Sequence, residues 1–262
     1  MKVIAVANQK GGVGKTTTSV NLAASLSTMR RRVLLIDLDP QGNATMGSGV
    51  SKDELVESIY DVLVYQESIR DIAQKNHDTG FFLLGSNSDL TAAEIELLAM
   101  ENRESRLKNA LIGLESDYDY VFIDCPPSLN LLTLNALVAA QGVIIPMQCE
   151  YYALEGLTAL MGTVTRVREQ LNSSLKIEGI VRTMYDPRNS LTKDVSAQLS
   201  EYFGDRLYRT VVPRNVRLAE APSYGLPVYY YDSKSSGSKA YLALAGEVLR
   251  RMEPTQVNRG DG

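Results

Sequence analysis

A glycine-rich segment near the N-terminus carries the residue types best suited to phosphate chemistry. Residues 8–17 read Asn-Gln-Lys-Gly-Gly-Val-Gly-Lys-Thr-Thr, after an apolar run at 3–7 and before a helical pattern. Glycines let backbone N–H groups approach phosphate oxygens, and the start of a helix adds partial positive charge. In such a loop Lys15 reaches the β- and γ-phosphates, and the Thr16 hydroxyl is a Mg²⁺ ligand. The sequence therefore predicts a Mg²⁺–nucleotide site between a strand and a helix.

The loop departs from the usual phosphate-loop pattern. That pattern, G-x-x-x-x-G-K-[ST], requires glycine at position 9, where this chain has Gln9. The chain instead carries a second lysine, Lys10, four residues before Gly14. The alternative is a glycine turn that binds nothing, but Gly-Lys-Thr-Thr between a strand and a helix is a specific signal for phosphate.

Carboxylates follow two further apolar runs. Asp37 and Asp39 come after residues 33–36, and Asp124 comes after residues 120–123. Because the carboxyl ends of parallel strands share one edge of a sheet, we expect these side chains beside the phosphate loop. Asp124 is predicted to hold Mg²⁺ or one of its waters, with Asp37 in support, and Asp39 to orient the attacking water. The alternatives are turn formation for the first two and helix capping for Asp124.

Short apolar runs with helical patterns between them define the expected fold. Such runs are typical of strands buried on both faces of a parallel sheet. The alternation predicts an α/β fold of the P-loop NTPase type: a doubly wound, mostly parallel sheet with helices on both faces. The predicted strands are Val3–Ala7, Val33–Ile36, Phe81–Leu84, Tyr120–Ile123, Val143–Met147, Ile177–Thr183 and Tyr208–Val212.

The helical patterns and the chain end complete the expected organisation. Thr91 followed by Glu94 resembles a capping box, which predicts a helix start there. We expect residues 1–252 to form a single domain and the polar residues 253–262 to be a disordered tail. The predicted helices are Lys15–Thr28, Asp53–Val64, Thr91–Gly113, Leu131–Ala140, Ala153–Leu171, Leu191–Phe203 and Ser238–Met252.

Net charge and the lengths of the apolar runs argue against a nucleic-acid coat protein and against a membrane-spanning protein. The net charge of −4 argues against a generally basic nucleic-acid coat. Residues 1–150 are net negative and residues 151–262 net positive, so a local basic face and an ordinary solvated surface both remain open. No apolar run approaches the roughly 18 residues that cross a membrane. The first predicted strand begins at the N-terminus, so we expect no signal peptide.

Two smaller features bear on the redox state and on the base. Cys125 and Cys149 each follow an apolar run, and we expect both to be buried and reduced, without a disulfide between them. The sequence Asn-Lys-x-Asp, which recognises guanine, does not occur in the chain. Its absence favours adenine as the base.

Three motifs together resemble the ParA/MinD family of deviant Walker A ATPases. They are the phosphate loop at 10–17, the segment Asp-Leu-Asp-Pro-Gln-Gly-Asn at 37–43 and the segment Asp-Cys-Pro-Pro at 124–127. Pro-Arg-Asn-Val-Arg at 213–217, followed by Glu-Ala-Pro at 220–222, resembles the Soj/ParA chromosome-partitioning branch. The similarity extends over nearly the whole chain.

The resemblance implies roles at the nucleotide. Lys10 is the signature lysine, which reaches the partner's phosphates in a dimer that sandwiches two ATP molecules, whose facing charges need neutralising. Gly12 lies at that dimer interface, where a Cβ would crowd the partner. Asp39 positions the attacking water. Pro213 and Asn215 border the adenine. The predicted nucleotide-binding residues are Lys10, Gly11, Gly12, Val13, Gly14, Lys15, Thr16, Thr17, Pro213 and Asn215, the catalytic residues Lys10, Lys15 and Asp39, and the metal ligands Thr16, Asp124 and Asp37.

The resemblance also implies the partners. Arg188 and Arg217 match positions that contact DNA phosphates in Soj-like proteins without reading sequence. An ATP-bound homodimer would join two basic faces on nonspecific double-stranded DNA, and a ParB-like protein would stimulate hydrolysis and release it. The implied cofactors are ATP and Mg²⁺, and the implied location is the cytoplasm, on the nucleoid and without a membrane. The helix-turn-helix extension of longer plasmid ParA proteins is not expected before the first strand.

Three other functions use a similar loop. A MinD-like regulator would bind membranes through a basic amphipathic C-terminal helix, whereas residues 240–252 are patterned for packing on a core. A protein similar to the nitrogenase iron protein would hold an iron–sulfur cluster between subunits, but Cys125 adjoins Asp124 instead of lying further along the chain. The third is an accessory ATPase that places flagella or other assemblies in the cell.

Overall fold

Eight strands form one sheet in the computed structural model, which describes residues 1–76, 78–151 and 153–253. Each strand is short, with two to ten residues. The strands are β1 (Lys2–Val6), β2 (Val33–Asp37), β3 (Gln74–Lys75), β4 (Phe82–Leu84), β5 (Tyr120–Asp124), β6 (Gly142–Gln148), β7 (Lys176–Tyr185) and β8 (Leu207–Pro213).

The order of the strands is that of a doubly wound sheet. Across the sheet it runs β3-β4-β2-β5-β1-β6-β7-β8, so the chain moves outward in one direction from β1 and later in the other. The pairs are parallel except β3 with β4, which is antiparallel. Ligands bind such sheets at the carboxyl ends of the strands where the winding reverses, which here is the end of β1. The predicted α/β class is confirmed.

Helices connect the strands. Some have fourteen residues or more, and several others span a single turn. The helices are α1 (Lys15–Thr28), α2 (Asn43–Met46), α3 (Ile59–Val64), α4 (Ile69–Ile72), α5 (Leu90–Leu98), α6 (Arg106–Ala110), α7 (Leu131–Ala139), α8 (Ala153–Gln170), α9 (Ser190–Phe203), α10 (Val216–Glu220), α11 (Val228–Tyr231) and α12 (Ser236–Met252), with 3₁₀ turns at Lys52–Glu54, Gly204–Arg206 and Ala221–Tyr224.

Two apolar cores cover the two faces of the sheet. Successive side chains of a strand point to opposite faces, and in β1 Val3 and Ala5 belong to one core whereas Ile4 and Val6 belong to the other. The first core includes buried residues of α3 and of α5 to α9, and the second those of α1, α2, α11 and α12. Burial on both faces explains why these strands are continuous apolar runs and not alternating ones.

Two predicted helices are wrong in their extent. The predicted helix Thr91–Gly113 is two helices, because the chain turns at Asn102, whose φ of 54° is left-handed. The capping box is also misplaced, since α5 already includes Thr91. The predicted helix Asp53–Val64 is a 3₁₀ turn followed by α3, because Ser58 caps α3 and forms a capping box with Asp61.

The two cysteines and the start of the expected tail have defined positions in the structure. Cys125 and Cys149 are both buried and free, as predicted. Glu253, the first residue of the expected tail, is bound by Arg31 at 2.6 Å and by the Tyr120 hydroxyl at 2.8 Å. Residues 254–262, the rest of that tail, lie outside the described residues. Among the helices that the structure describes, none has the length and apolar character needed to span a bilayer.

Gly179 provides a test of how tightly the sheet and its flanking core are packed. A Cβ at Gly179 would lie 2.3 Å from Tyr208 Cε2 and 2.9 Å from the Arg206 carbonyl oxygen, and both Gly179 and Tyr208 are buried. We expect Gly179→Ala to lower the free energy of unfolding by about 1–3 kcal/mol, measured by urea denaturation.

The matched control is Gly162→Ala in α8, where an added Cβ meets no atom within 4 Å. Alanine is the better helix former, so we expect this variant to gain about 0.5–1 kcal/mol. Equal stability of the two variants would contradict the packing described at Gly179.

Candidate functional site

The phosphate loop joins β1 to α1 at the point where the sheet reverses. Gly14 precedes α1 with a φ of 84°, a left-handed conformation that favours glycine. The Thr183 hydroxyl, at the end of β7, donates to the Val13 carbonyl at 2.8 Å and braces the loop from the neighbouring strand. The first turn of α1 therefore faces the cavity with its backbone N–H groups free for an anion.

Lys15 lies at the centre of this loop. Its residue is 7% exposed, and its Nζ donates to the Lys10 carbonyl oxygen at 3.2 Å. Burial lowers the pKa of Lys15, and the neighbouring Asp124 carboxylate opposes that shift. A buried ammonium aimed along a loop of backbone N–H groups is suited to phosphate oxygens, and a phosphate would replace the single carbonyl that it now contacts.

Asp124 ties the end of β5 to the first turn of α1. Its Oδ2 accepts from the Thr16 hydroxyl at 2.8 Å and its Oδ1 from the Ser19 hydroxyl at 2.7 Å. The carboxyl group is fully buried, and its pKa is raised first by burial and then by the neighbouring Asp37. Thr16 and Asp124 together supply the hard oxygen atoms that Mg²⁺ prefers, so these side chains fit the ion.

Asp37 holds a loop in place. Its Oδ2 accepts from the backbone N–H and the hydroxyl of Thr45, both at 2.8 Å, and its Oδ1 accepts from the Asp39 N–H at 3.2 Å. Burial raises the pKa of Asp37, and these hydrogen bonds oppose the shift. Asp37 lies opposite Asp124 in the β2–β5 register, and its role as a metal ligand stays a prediction.

Asp39 is placed for contact with a bound nucleotide. It is half-buried and lines the same cavity as Lys15 and Thr16. Its Oδ1 accepts from the Gln41 N–H at 3.0 Å, which leaves acceptor capacity on the carboxylate. The position agrees with the predicted role in orienting water, which the geometry by itself does not test.

Lys10 lies on the exposed outer half of the loop. Its ammonium forms an ion pair with Glu150, and both side chains are more than 40% exposed. Gly11 and Gly12 are also exposed, and a Cβ built on either meets no atom within 4 Å. Nothing within the described part of the chain crowds Gly12, whose φ of 72° by itself favours glycine, so the predicted crowding at a dimer interface stays a prediction.

A cavity of about 900 Å³ extends from the phosphate loop toward the loop that follows β8. Pro213 and Asn215 are among its lining residues, and their position beside the base stays a prediction. Asn215 donates through Nδ2 to the Ser236 hydroxyl at 2.9 Å, while its buried Oδ1 has no hydrogen-bond partner among the described residues. The volume and the lining of the cavity suit a nucleotide, because the phosphate loop and the residues after β8 line the same space.

Arg188 and Arg217 both lie at the carboxyl edge of the sheet. Arg188 follows β7 and Arg217 follows β8, and these strands end in register at Tyr185 and Pro213. Each guanidinium is in an exposed ion pair: Arg188 with Asp186 at 2.8 Å, and Arg217 with Glu220 at 2.8 Å. Exposed pairs of this kind contribute little, so competing phosphates can displace them.

Several residues of the site were not predicted from the sequence. Ser19 and Thr45 bind the two buried carboxylates, Ser86 contacts the loop that carries Asp39, and Glu150 pairs with Lys10. Ser19 could have been identified, since it lies one turn after Thr16 on the same side of α1. No local signal marks Ser86 and Glu150, because their partners are distant in sequence, and Thr45 lies close to turns, where threonine is common.

Comparisons with known proteins agree with this site. A family model described as an AAA domain matches residues 1–177. The sporulation initiation inhibitor protein Soj of Bacillus subtilis is 52% identical, with 94% of this chain and 98% of Soj covered. The chromosome partitioning protein ParA of Caulobacter vibrioides is 50% identical, with 98% and 97% covered.

Solved structures are similar throughout the chain. A Mycobacterium smegmatis protein named cobyrinic acid a,c-diamide synthase, with bound ADP and magnesium, has a TM-score of 0.84 at 39% identity and covers 95% of this chain and 94% of its own. A plasmid partition protein of Borrelia burgdorferi, bound to the ATP analogue AMPPNP, has a TM-score of 0.79 at 28% identity, with 95% and 98% covered.

Fold and site together define a Mg²⁺–nucleotide-binding P-loop protein with a second lysine in its loop. The identities to partition proteins, over nearly the full length of each chain, are more specific than the fold. The chain belongs to the ParA/Soj family of deviant Walker A ATPases.

Asp124 makes Mg²⁺ binding sensitive to pH. Burial and the neighbouring Asp37 raise its pKa to about 7, so the carboxyl group is protonated below that pH and a proton competes with the metal. We expect the Mg²⁺ affinity of the ADP-bound protein to rise from pH 6 to pH 8 and then level off, measured by titration calorimetry. The ADP phosphates also titrate, so Asp124→Asn is measured in parallel. An identical pH profile in that variant would contradict the assignment to Asp124.

Proposed function

We propose that the protein is a partitioning ATPase that switches between monomer and dimer. ATP held with Mg²⁺ joins two copies, the dimer binds nonspecific DNA on the nucleoid in the cytoplasm, and a ParB-like partner stimulates hydrolysis to release it. The observation that carries this proposal is the exposed outer half of the phosphate loop, with Lys10 free of the nucleotide cavity and paired only weakly with Glu150. A second subunit facing this loop would receive Lys10 at its own triphosphate.

The residues of one subunit suffice to bind the nucleotide. Lys15 and the N–H groups of the loop neutralise the β- and γ-phosphates, and Thr16 and Asp124 hold the metal, directly or through water. Mg²⁺, when bound, offsets charge on the phosphate oxygens. Pro213 and Asn215 line the same cavity as the phosphate loop and border the adenine.

Lys10 and Gly12 act between subunits. Lys10 leaves Glu150 and approaches the partner's phosphates, where its charge is worth more because the closed interface excludes water. Gly12, exposed and with a φ of 72°, lets the two loops approach each other without a Cβ between them. Hydrolysis removes the γ-phosphate to which Lys10 is bound, and the dimer loses its main attraction.

Asp39 controls the lifetime of the dimer. Its carboxylate lines the cavity beside the phosphate loop and orients a water molecule in line with the γ-phosphate. The DNA face is formed at the same edge of the sheet by Arg188 and Arg217. Pairing two such faces in a dimer doubles the number of phosphate contacts and steepens the dependence of binding on salt.

The alternative functions have less support. A MinD-like membrane anchor needs a free amphipathic face, but Tyr241, Leu244 and Val248 of α12 are buried in the core. A cluster held between subunits needs exposed thiols, whereas Cys125 and Cys149 are at most 3% exposed. The M. smegmatis protein is named for an amidation of cobyrinic acid, and the higher identities to Soj and ParA favour partition for this chain.

Asp39→Ala tests the proposed role of hydrolysis. Loss of the water-orienting carboxylate should slow ATP turnover at least about 100-fold and leave ATP binding intact. We expect a dimer that remains on DNA after ATP is added, measured by sedimentation and by the decay of DNA-bound protein after dilution.

Lys15→Ala is the control for that experiment. It should lose ATP binding and stay monomeric, because the phosphate loop then lacks its central cation. Normal turnover in Asp39→Ala, or tight ATP binding by Lys15→Ala, would contradict the corresponding assignment.

Charge reversal tests the DNA face. Arg188→Glu with Arg217→Glu removes up to four phosphate contacts from a dimer, so the slope of log K against log salt should become shallower by about 3 to 4. ATP-dependent dimerisation should persist. The matched control is Arg70→Glu, because Arg70 is also exposed and paired, with Asp117 at 2.7 Å, and lies outside the proposed face. Equal DNA affinity of the two charge-reversed proteins would place the DNA face elsewhere.

A further inference from the structure

Thr45 occupies a position with no direct contact to the nucleotide cavity. It lies in α2, is fully buried and is not among the residues that line the cavity. Its hydroxyl donates to Asp37 Oδ2 at 2.8 Å and accepts from the Ser86 N–H at 2.9 Å. Thr45 thus connects the end of β2 with the segment that follows β4.

Both partners of Thr45 hold the backbone of Asp39. Asp37 accepts from the Asp39 N–H at 3.2 Å, and the Ser86 hydroxyl donates to the Asp39 carbonyl oxygen at 2.9 Å. The peptide groups on either side of Asp39 are therefore bound by two residues that meet at the Thr45 hydroxyl, Asp37 through its carboxylate and Ser86 through its backbone N–H; the Gly42 N–H also donates to the Asp39 carbonyl, at 2.9 Å. Asp37 and Ser86 are both fully buried, so water cannot replace these hydrogen bonds at low cost.

The side chain of Asp39 has little support of its own. The hydrogen bond that it accepts comes from the nearby Gln41 N–H, within the same turn. The direction of its carboxylate is consequently set by the backbone that carries it. A displacement of about 1 Å at a reacting group is enough to slow a reaction about 100-fold.

We propose that Thr45 is a positioning residue for hydrolysis: its hydroxyl clamps the backbone of Asp39 from both sides and thereby aims the Asp39 carboxylate at the attacking water. This inference rests on the proposed function, because it takes Asp39 as the group that orients water. Thr45 itself contacts neither nucleotide nor metal.

The test separates a missing hydroxyl from a change in shape. Thr45→Val keeps the branched side chain and removes the hydroxyl, whereas Thr45→Ser keeps the hydroxyl and removes a methyl group. We expect Thr45→Val to lower the single-turnover rate of ATP hydrolysis about 10- to 100-fold, with ATP affinity within about twofold of the parent protein. Thr45→Ser should restore most of the rate.

Two further variants guard against a merely structural effect. Ser48→Ala removes a buried hydroxyl just after α2, which donates to the Ala44 carbonyl at 2.7 Å, and should leave the rate unchanged. Ser86→Ala removes the side-chain hydrogen bond to the Asp39 carbonyl and leaves the one from the Gly42 N–H. It should slow hydrolysis in the same way, and combining it with Thr45→Val should cost less than the product of the two single effects.

The outcomes distinguish this inference from the proposed function. The role of Thr45 would be overturned if Thr45→Val hydrolysed ATP in a single turnover as fast as the parent protein. It would also be overturned if Thr45→Ser failed to restore the rate, or if the variants lost only ATP affinity. Fully multiplicative effects of Thr45→Val and Ser86→Ala would also overturn it. Normal turnover in Asp39→Ala would instead overturn the proposed function itself.

Discussion

The site depends on the hydrogen bonds that the buried carboxylate of Asp124 accepts from the first turns of α1. This carboxylate accepts hydrogen bonds from the hydroxyl groups of Thr16 and Ser19, and these two hydrogen bonds fix α1 against the end of β5. The phosphate loop is the short connection into that helix, so its geometry follows from where α1 begins. A buried carboxylate is costly unless it is hydrogen-bonded or paired, and burial together with the nearby Asp37 raises the pKa of Asp124. Mg²⁺ and the positive end of α1 are the groups that would offset the cost of burial.

Buried polar contacts hold the loop that contains Asp39 beside the segment that follows Arg217. Asp37 and Thr45 fix the loop that contains Asp39, and this loop continues to Gly49. Gly49 packs directly on Gly225, where an added Cβ on Gly225 would lie 2.7 Å from the Gly49 Cα atom. Gly225 ends the segment that follows Arg217. The segments that carry Asp39 and Arg217, which the proposed switch would couple, are therefore in contact.

The sequence alone predicted the parts of the molecule that have strong local signals. The seven principal strands and α1 were correct because burial on both faces produces continuous apolar runs, and the glycine-lysine-threonine loop has few other uses. The short antiparallel strand β3 was missed because Gln74 and Lys75 are exposed and polar. The break near Asn102 was missed because left-handed backbone at a non-glycine residue has no clear sequence signal.

The polar contacts that complete the site were beyond sequence analysis for a different reason. Ser86 and Thr45 are 41 residues apart, and Lys10 and Glu150 are 140 apart, so their contacts arise only from the order of the strands. Serine and threonine are also common in turns, which hides their role in binding buried carboxylates. The motifs thus predicted which residues line the nucleotide cavity, whereas the fold showed which residues hold them in place.

The central claim is that ATP joins two copies of the chain through Lys10. Sedimentation of the protein with a nonhydrolysable ATP analogue, compared with Lys10→Ala under the same conditions, tests it most directly. We expect a dimer for the parent protein and a monomer for Lys10→Ala, although both bind the analogue. A parent protein that stays monomeric with the analogue bound, or a Lys10→Ala variant that dimerises equally well, would contradict it.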